Sequence, residues 1–277
     1  MTDQRVPGYI KIATRFKNFS KELRDIWENY NIIKFYTPLL HNSVKKKQFP
    51  SLSFVPLFSR DRKNSKIDDT LGAFSSMVRK SSPRSAIIES VIAFEDFLSF
   101  VILSVYQDYP GKLLSVNNDA NNESASRQSK LLKVIIESSD KEEIIDKLIE
   151  EKSRSIFYGN IVDFFLKDPA KLEFKDHFKG DLKNPIKKDL AEILAKRNII
   201  VHNNGKIDRK YIRETGCSPK DLGTKIQIDA AYLKHAIVTL QGIAAHTSGQ
   251  VIDAIYKQPV KGRTKIILNS YNNYLKT

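Results

Sequence analysis

Cysteine is nearly absent, with Cys217 alone among 277 residues. A single thiol excludes a disulfide framework and a cysteine-based zinc site, and it is typical of a protein in a reducing compartment. The first residues, MTDQRVPGYIKIATRF, lack the apolar run of a secretory signal. We therefore expect a cytoplasmic location rather than export.

Several catalytic motifs are also missing. The sequence contains no GxxxxGK[ST], no GxGxxG after a strand, no HExxH and no paired CxxC. Phosphate-loop nucleotidases, Rossmann-type dehydrogenases and zinc proteases lose support for this reason. His41, His177, His235 and His246 show no metal-ligand spacing. We expect neither a metal nor a cofactor.

Acidic residues are scarce at both ends of the chain, although the net charge is +14 overall. Residues 1–84 contain 17 basic and 7 acidic side chains, and residues 257–277 contain 5 basic and none acidic. The intervening residues 85–256 are nearly neutral, with 24 basic and 25 acidic side chains. This distribution favours a polyanionic partner, most simply nucleic acid. Surface lysines that only keep the protein in solution are the plainer alternative, and an acidic membrane surface is a third.

The longest apolar stretch, Ala86–Tyr106, is interrupted by Glu89, Glu95 and Asp96. Each acid at the centre of a bilayer would cost roughly 2.5–3.5 kcal/mol. Three such costs outweigh the gain from the aliphatic side chains. The stretch therefore predicts a buried helix and no membrane span.

The hydrophobic pattern divides the chain into three parts. Residues 1–84 form a basic segment that begins with a helix, residues 85–256 form a helical bundle, and residues 257–277 form a basic tail. In the first part, apolar residues recur at helical spacing from Phe16 to Tyr30, Leu52–Phe58 allows a short strand, and a helix covers Asp69–Lys80.

The bundle is predicted from helical patterns and terminal signals. One helix runs from about Arg84 to Asp108, and another begins at Pro185 with Asn184 as its cap and ends near Gly205. The last starts at Asp229 and runs to about Tyr256. Further helical patterns cover Leu131–Glu137, Glu142–Lys152 and Ile156–Lys167. These signals predict an all-α fold.

The end of the Asn184 helix combines three side chains suited to phosphodiester chemistry. It contains Arg197, Asn198 and His202 in the string KRNIIVHNNG. Histidine exchanges protons near neutral pH, and arginine stabilises a developing phosphorane charge. An asparagine one turn before the histidine is placed to orient the imidazole. RNA supplies its own nucleophile, the 2′-hydroxyl. A plain helix-capping histidine, favoured by the helix dipole, is the alternative interpretation.

The string Arg197-Asn198-x-x-x-His202, followed by Asn203-Asn204-Gly205, resembles the Arg-x4–6-His signature of the HEPN superfamily, the higher eukaryote and prokaryote nucleotide-binding domains. The segment LGTKIQIDAAYLKHAI resembles the approach to the last helix of that family. The resemblance covers about residues 84–256. It implies a HEPN-type helical bundle with an added basic N-terminal segment, and a metal-independent endoribonuclease that leaves a 2′,3′-cyclic phosphate and a 5′-hydroxyl.

The resemblance also implies a homodimer in which two motifs share one cleft, and an acidic residue near Arg197, for which Glu95 and Asp96 are candidates. Asn204 stands where some members have a tyrosine that is modified for regulation, so that regulation is not expected. Many members are toxins or effectors of antiviral defence, with an antitoxin or defence-system protein as partner. Some only bind nucleic acid or other proteins, and both alternatives stay open.

Other basic residues are candidate contacts to an RNA backbone. Lys45, Lys46 and Lys47 have Tyr36 and Phe49 nearby for stacking on a base. Lys206 and Arg209 directly follow the Arg197–His202 string.

Overall fold

The computed structural model describes residues 6–49, 67–114, 143–144, 146–151 and 161–276, and every extended regular element in these ranges is helical. The all-α prediction is confirmed. The α-helices with defined bounds are α1 (Gly8–Lys45), α2 (Ile67–Ser76), α3 (Ser82–Asp108), α4 (Gly111–Leu114), α5 (Ile161–Lys167), α6 (Ala191–Asn203), α7 (Arg209–Thr215), α8 (Ala230–Ala254) and α9 (Gly262–Tyr274). Residues 143–144 and 146–151, within the predicted helix Glu142–Lys152, are also helical. π-helical segments, Met77–Ser81 and Pro185–Leu190, directly precede α3 and α6, and a 3-10 turn covers Pro219–Asp221.

The terminal signals for the last long helix of the bundle are confirmed. Asp229 caps α8, because its carboxylate accepts a hydrogen bond from the Tyr232 backbone N–H at 2.7 Å. Ile228 and Leu233, placed to staple the helix start, are both buried. A predicted strand at Leu52–Phe58 and a predicted helix at Leu131–Glu137 lie outside the described residues.

The prediction that Asn184 caps a helix with its side chain is wrong. Its backbone is already right-handed helical (φ −68°, ψ −49°), and its side chain makes no capping hydrogen bond. A capping side chain needs an extended backbone at its own residue, so it cannot act here. Pro185 instead opens the π-helical segment that leads into α6.

The chain forms two compact units, each assembled from segments distant in sequence. The first contains Met1–Ser20, Ala93–Ala191 and Thr239–Thr277, and the second contains Lys21–Ile92 and Glu192–Val238. These limits cut across the boundaries at residues 84 and 256 that the charge pattern indicated. Along the described chain, no helix is both long and apolar enough to cross a bilayer.

Phenylalanine rings fill the core of the first unit. Phe19 stacks on Phe97 with ring centroids 5.1 Å apart, and Phe165 meets Phe178 edge-on at 4.9 Å. Such pairs contribute about 0.5–1.5 kcal/mol beyond the burial of their area. The fully or almost fully buried rings are Phe16, Phe19, Phe94, Phe97, Phe164, Phe165, Phe174 and Phe178.

The basic C-terminal segment is part of this unit rather than a bare tail. Its helix, α9, buries Thr264 and Tyr271. The Tyr271 ring lies so close to α8 that a Cβ on Gly242 would be 2.2 Å from its Cγ. Glycine at position 242 is therefore required for this approach.

In the second unit, α6 and α7 are joined through a small hydrophobic cluster. Ala195, Ile199 and Tyr211 are buried together, and three partly buried side chains pack against them: Ile207, Cys217 and Ile226. The turn between the helices is fixed by Asp208, whose carboxylate caps α7 by accepting from the Tyr211 N–H at 2.7 Å. This cluster holds the end of α6 at a defined position against the residues that follow it.

Candidate functional site

The C-terminus of α6 is a left-handed turn, as the asparagine and glycine residues predicted. Asn204 has φ of 50° and Gly205 has φ of 74°. The Gly205 N–H donates to the Ile199 carbonyl oxygen at 2.7 Å, six residues back, which closes the helix end. The chain therefore turns away two residues after His202, which lies in the last turn of the helix.

The side chains of the Arg-x4-His string differ in exposure. His202 is exposed, whereas Arg197 and Asn198 are half-buried, and the Nε atom of Arg197 is buried. Five residues at 3.6 per turn separate Arg197 from His202 by about 140° around the helix axis. Within the described part of the chain, no hydrogen bond joins the Asn198 amide to the His202 ring.

Arg84 is a cation at this helix end that sequence reasoning missed. Its guanidinium donates from Nη1 to the Asn204 Oδ1 at 3.0 Å and from Nη2 to the Asn204 carbonyl oxygen at 3.3 Å. A Cβ on Gly205 would lie 2.6 Å from Arg84 Nη2, so a larger residue there would displace the guanidinium. Arg84 thus fixes the turn two residues after His202. No local pattern signals a contact across 120 positions.

A pair of lysines lies just beyond the turn. Lys206 and Lys225 face each other in an isolated antiparallel bridge, and both are exposed. The bridge is held by two hydrogen bonds of 2.9 Å: the Ile207 N–H donates to the Thr224 carbonyl oxygen, and the Ile226 N–H donates to the Gly205 carbonyl oxygen. Like charges directly opposite each other on a bridge are unfavourable, and a bound anion would relieve the repulsion. Lys206 was a predicted contact, and Lys225 was missed because the bridge joins residues 19 apart.

The other predicted basic contacts are exposed as well. Arg209 is the first residue of α7. Lys45, Lys46 and Lys47 are exposed at the end of α1.

The acidic candidates on α3 are engaged in the first unit. Asp96 forms an ion pair with Arg15 of α1, with Oδ2 and Nη2 2.5 Å apart. Glu95 is half-buried, and its carbonyl oxygen accepts from the Ser99 hydroxyl at 2.9 Å. Neither contact shows whether Glu95 or Asp96 acts beside Arg197.

Two other histidines, the half-buried His177 and the buried His246, form a chain of polar contacts in the first unit, which no sequence spacing indicated. His177 Nε2 lies 3.1 Å from His246 Nδ1, and His246 Nε2 lies 2.9 Å from Asn272 Oδ1. Burial, reinforced by the neighbouring His177, lowers the pKa of His246 to about 4. Burial also lowers the pKa of His177. Both rings are therefore neutral at neutral pH.

No three histidine, cysteine or acidic side chains lie close enough to hold a metal ion in the ranges that the structure describes. Comparison of the chain with protein-family models, with curated proteins and with solved structures found no match. The interpretation of the α6 terminus therefore depends on its own residues.

Proposed function

We propose that the chain is a metal-independent endoribonuclease that cleaves RNA through its own 2′-hydroxyl. One observation carries the proposal. The exposed imidazole of His202 lies in the last turn of α6, and the residues that follow include Asn204, which binds Arg84, and Lys206, which faces Lys225. A proton-transfer group beside several cations is what phosphodiester cleavage requires of a protein that uses no metal.

Each side chain has a distinct role in this proposal. His202 accepts the proton of the 2′-hydroxyl, and Arg197 stabilises the phosphorane with its Nη donors. Asn198 orients the substrate or the ring from the same helix. Lys206, Lys225 and Arg209 bind the phosphates on either side of the cleaved bond. The products are a 2′,3′-cyclic phosphate and a 5′-hydroxyl.

Cleavage needs two proton transfers, one from the nucleophile and one to the leaving oxygen. One chain contributes one imidazole at this helix end, so we propose a homodimer that brings two copies of His202 to one RNA. The all-α fold and the Arg197–His202 string together support a HEPN-type ribonuclease. On the same resemblance, we propose a cytoplasmic toxin or antiviral defence effector with an antitoxin or defence-system protein as partner.

A second candidate is a nucleic-acid-binding module that performs no chemistry. The opposed lysines favour it, because they require only a phosphate and not a reaction. Binding would then weaken steeply with salt, and no new RNA ends would form.

The deciding experiment incubates the purified protein and its His202→Ala variant with total RNA in EDTA, and sequences the new ends. We expect cyclic-phosphate and 5′-hydroxyl ends from the wild type alone. A cleavage activity that disappears with chelator would overturn the metal-independent mechanism. Salt-sensitive RNA binding without new ends would favour the second candidate.

A further inference from the structure

The part of α1 that belongs to the second unit, from Lys21 onwards, has a buried face of regular spacing. Leu23, Tyr30, Thr37 and Val44 are each seven residues apart, and all four are buried. A seven-residue interval is almost two helical turns, so these side chains lie along one line of the helix. That line anchors α1 to the rest of its unit.

The opposite face of α1 is apolar and exposed. Phe35 is 65% exposed, and Ile32, Tyr36 and Leu39 are 54, 56 and 53% exposed. At 100° per residue, these four side chains centre on a line about 180° from the buried one. Phe35 and Tyr36 pack edge-on, with centroids 5.0 Å apart. Exposed apolar surface at consecutive helical turns is typical of an interaction site.

Charges of opposite sign flank this apolar stripe. Asp25 and Glu28 are exposed and fall on the same line, one to two turns before Ile32. Lys45 and Lys46 are exposed and follow Leu39 by about two turns. The Lys46 N–H donates to the Asn42 carbonyl oxygen at 3.0 Å, so the helical path continues to Lys46.

We propose that this face pairs with the same face of a second copy of the chain, with the two α1 helices antiparallel. The stripe is centred between Phe35 and Tyr36. With a rise of 1.5 Å per residue, Asp25 lies about 16 Å before that centre and Lys46 about 16 Å after it. A two-fold axis at the centre therefore brings Asp25 of each copy to Lys46 of the other, while the apolar residues meet in the middle.

The charge pattern favours an antiparallel second copy of the chain over a parallel copy or an RNA strand on this face. A parallel pairing would place Asp25 against Asp25 and Lys46 against Lys46, which is repulsive. A single-stranded RNA would match the lysines and the aromatic rings, but Asp25 and Glu28 on the same line would repel its phosphates. The stripe contains none of the residues assigned to cleavage, so substitutions in it test the interface and not the chemistry.

The first test is the mass of the full-length chain in solution, measured by light scattering at tens of micromolar protein. We expect twice the 31.7 kDa of one chain for the wild type. Phe35→Glu/Leu39→Glu should return the mass to that of one chain. The matched control is Ile266→Glu, which changes an equally exposed residue on α9 and should stay dimeric. Circular dichroism checks that all variants stay folded. A stripe variant that stays dimeric overturns this proposal alone. A monomeric wild type overturns it together with the homodimer proposed above for cleavage, and the RNA-cleavage assay then decides whether one chain cleaves by itself.

The second test fixes the direction of the helices by disulfide trapping in a Cys217→Ser background. Asp25 and Lys46 are 21 residues apart, about 32 Å along one helix, so a bond between them within one chain is impossible. The variant Asp25→Cys/Lys46→Cys should give a covalent dimer on oxidation, and Asp25→Cys alone should not. A covalent dimer from Asp25→Cys alone indicates a parallel pair and overturns the proposal. Loss of affinity for a fluorescent oligouridine in Lys45→Glu/Lys46→Glu, with the dimer mass unchanged, places RNA on this face instead and also overturns it.

Discussion

The histidines of the two units differ in burial. In the first unit, His246 is buried between His177 and Asn272, and burial lowers its pKa to about 4. In the second unit, His202 is exposed in the last turn of α6. A ring that stays neutral and enclosed is a packing and hydrogen-bonding element at neutral pH. An exposed ring beside cations is accessible to a substrate.

The two sites also differ in the number of hydrogen bonds that hold the histidine. The His177–His246–Asn272 chain has the better defined geometry, and its central ring, His246, is buried. The α6 terminus has fewer contacts to its histidine, but Arg84 binds Asn204 in the turn that follows it, and Lys206 and Lys225 face each other just beyond that turn. We therefore propose that His202 performs the chemistry and that His246 contributes to stability, and the predictions below separate these roles.

The largest expected effect is on cleavage. His202→Gln should lower the rate of RNA cleavage by about 10²- to 10⁴-fold, because it removes a proton-transfer group. Thermal unfolding should change little, because the side chain is exposed. The measurement is the initial rate of cleavage of a labelled RNA in EDTA, beside a melting curve.

His246→Gln is the matched control for that prediction. It removes a ring of the buried chain and keeps an amide for hydrogen bonding. The melting temperature should fall, and the cleavage rate per folded molecule should stay within a few-fold of the wild type. If His246→Gln abolished cleavage while the protein stayed folded, the assignment of roles would be reversed.

Sequence patterns correctly predicted the structural features that are set by residues close together in the chain. The end of α6 follows from Asn204 and Gly205, which adopt the left-handed conformation that those residue types tolerate. The start of α8 follows from the capping carboxylate of Asp229. The all-α fold follows from the repeated helical periodicity of apolar residues.

Features that depend on distant residues were not predictable. Arg84 and Asn204 are 120 positions apart, and His177 and His246 are 69 apart, so no local spacing relates them. The C-terminal segment was interpreted from its charge as a tail. Its helix depends on Tyr271, which is buried against α8 only because Gly242 has no side chain. The HEPN-type arrangement and the roles of Arg197 and Asn198 stay predictions.

The second largest effect is expected at Gly242, one turn before His246 on α8. Gly242→Ala places a Cβ 2.2 Å from the Tyr271 ring, so the ring or the helix must shift. Overpacking of this kind typically costs about 1–3 kcal/mol, and we expect the upper part of that range because Tyr271 is almost fully buried. Denaturant unfolding measures the loss. Gly72→Ala, with no atom near the new Cβ, is the control and should be neutral or slightly stabilising.

A smaller effect is expected from pH on stability. The unfolded chain has an ordinary histidine pKa near 6.5, whereas His246 in the folded chain has a pKa of about 4. Between these values the unfolded state binds more protons, so stability falls as the pH falls from about 6.5 towards 4. Between pH 7 and pH 5 the loss should be about 2 kcal/mol. Denaturant titrations at both pH values measure it. His246→Gln should flatten this dependence, and an unchanged slope in that variant would refute the origin proposed here.

The smallest effect is expected at Arg84, which acts on His202 only through the turn. Arg84→Ala removes the donors to the Asn204 side chain and carbonyl oxygen and should loosen the last turn of α6. We expect cleavage to slow by about 10-fold, which corresponds to about 1.4 kcal/mol. Because Arg84 positions the turn by two directed hydrogen bonds, Arg84→Lys should recover only part of the rate. The RNA concentration at half-maximal rate separates positioning from phosphate binding: a change in the maximal rate alone indicates positioning. An Arg84→Ala variant with wild-type kinetics would show that the turn holds His202 without it.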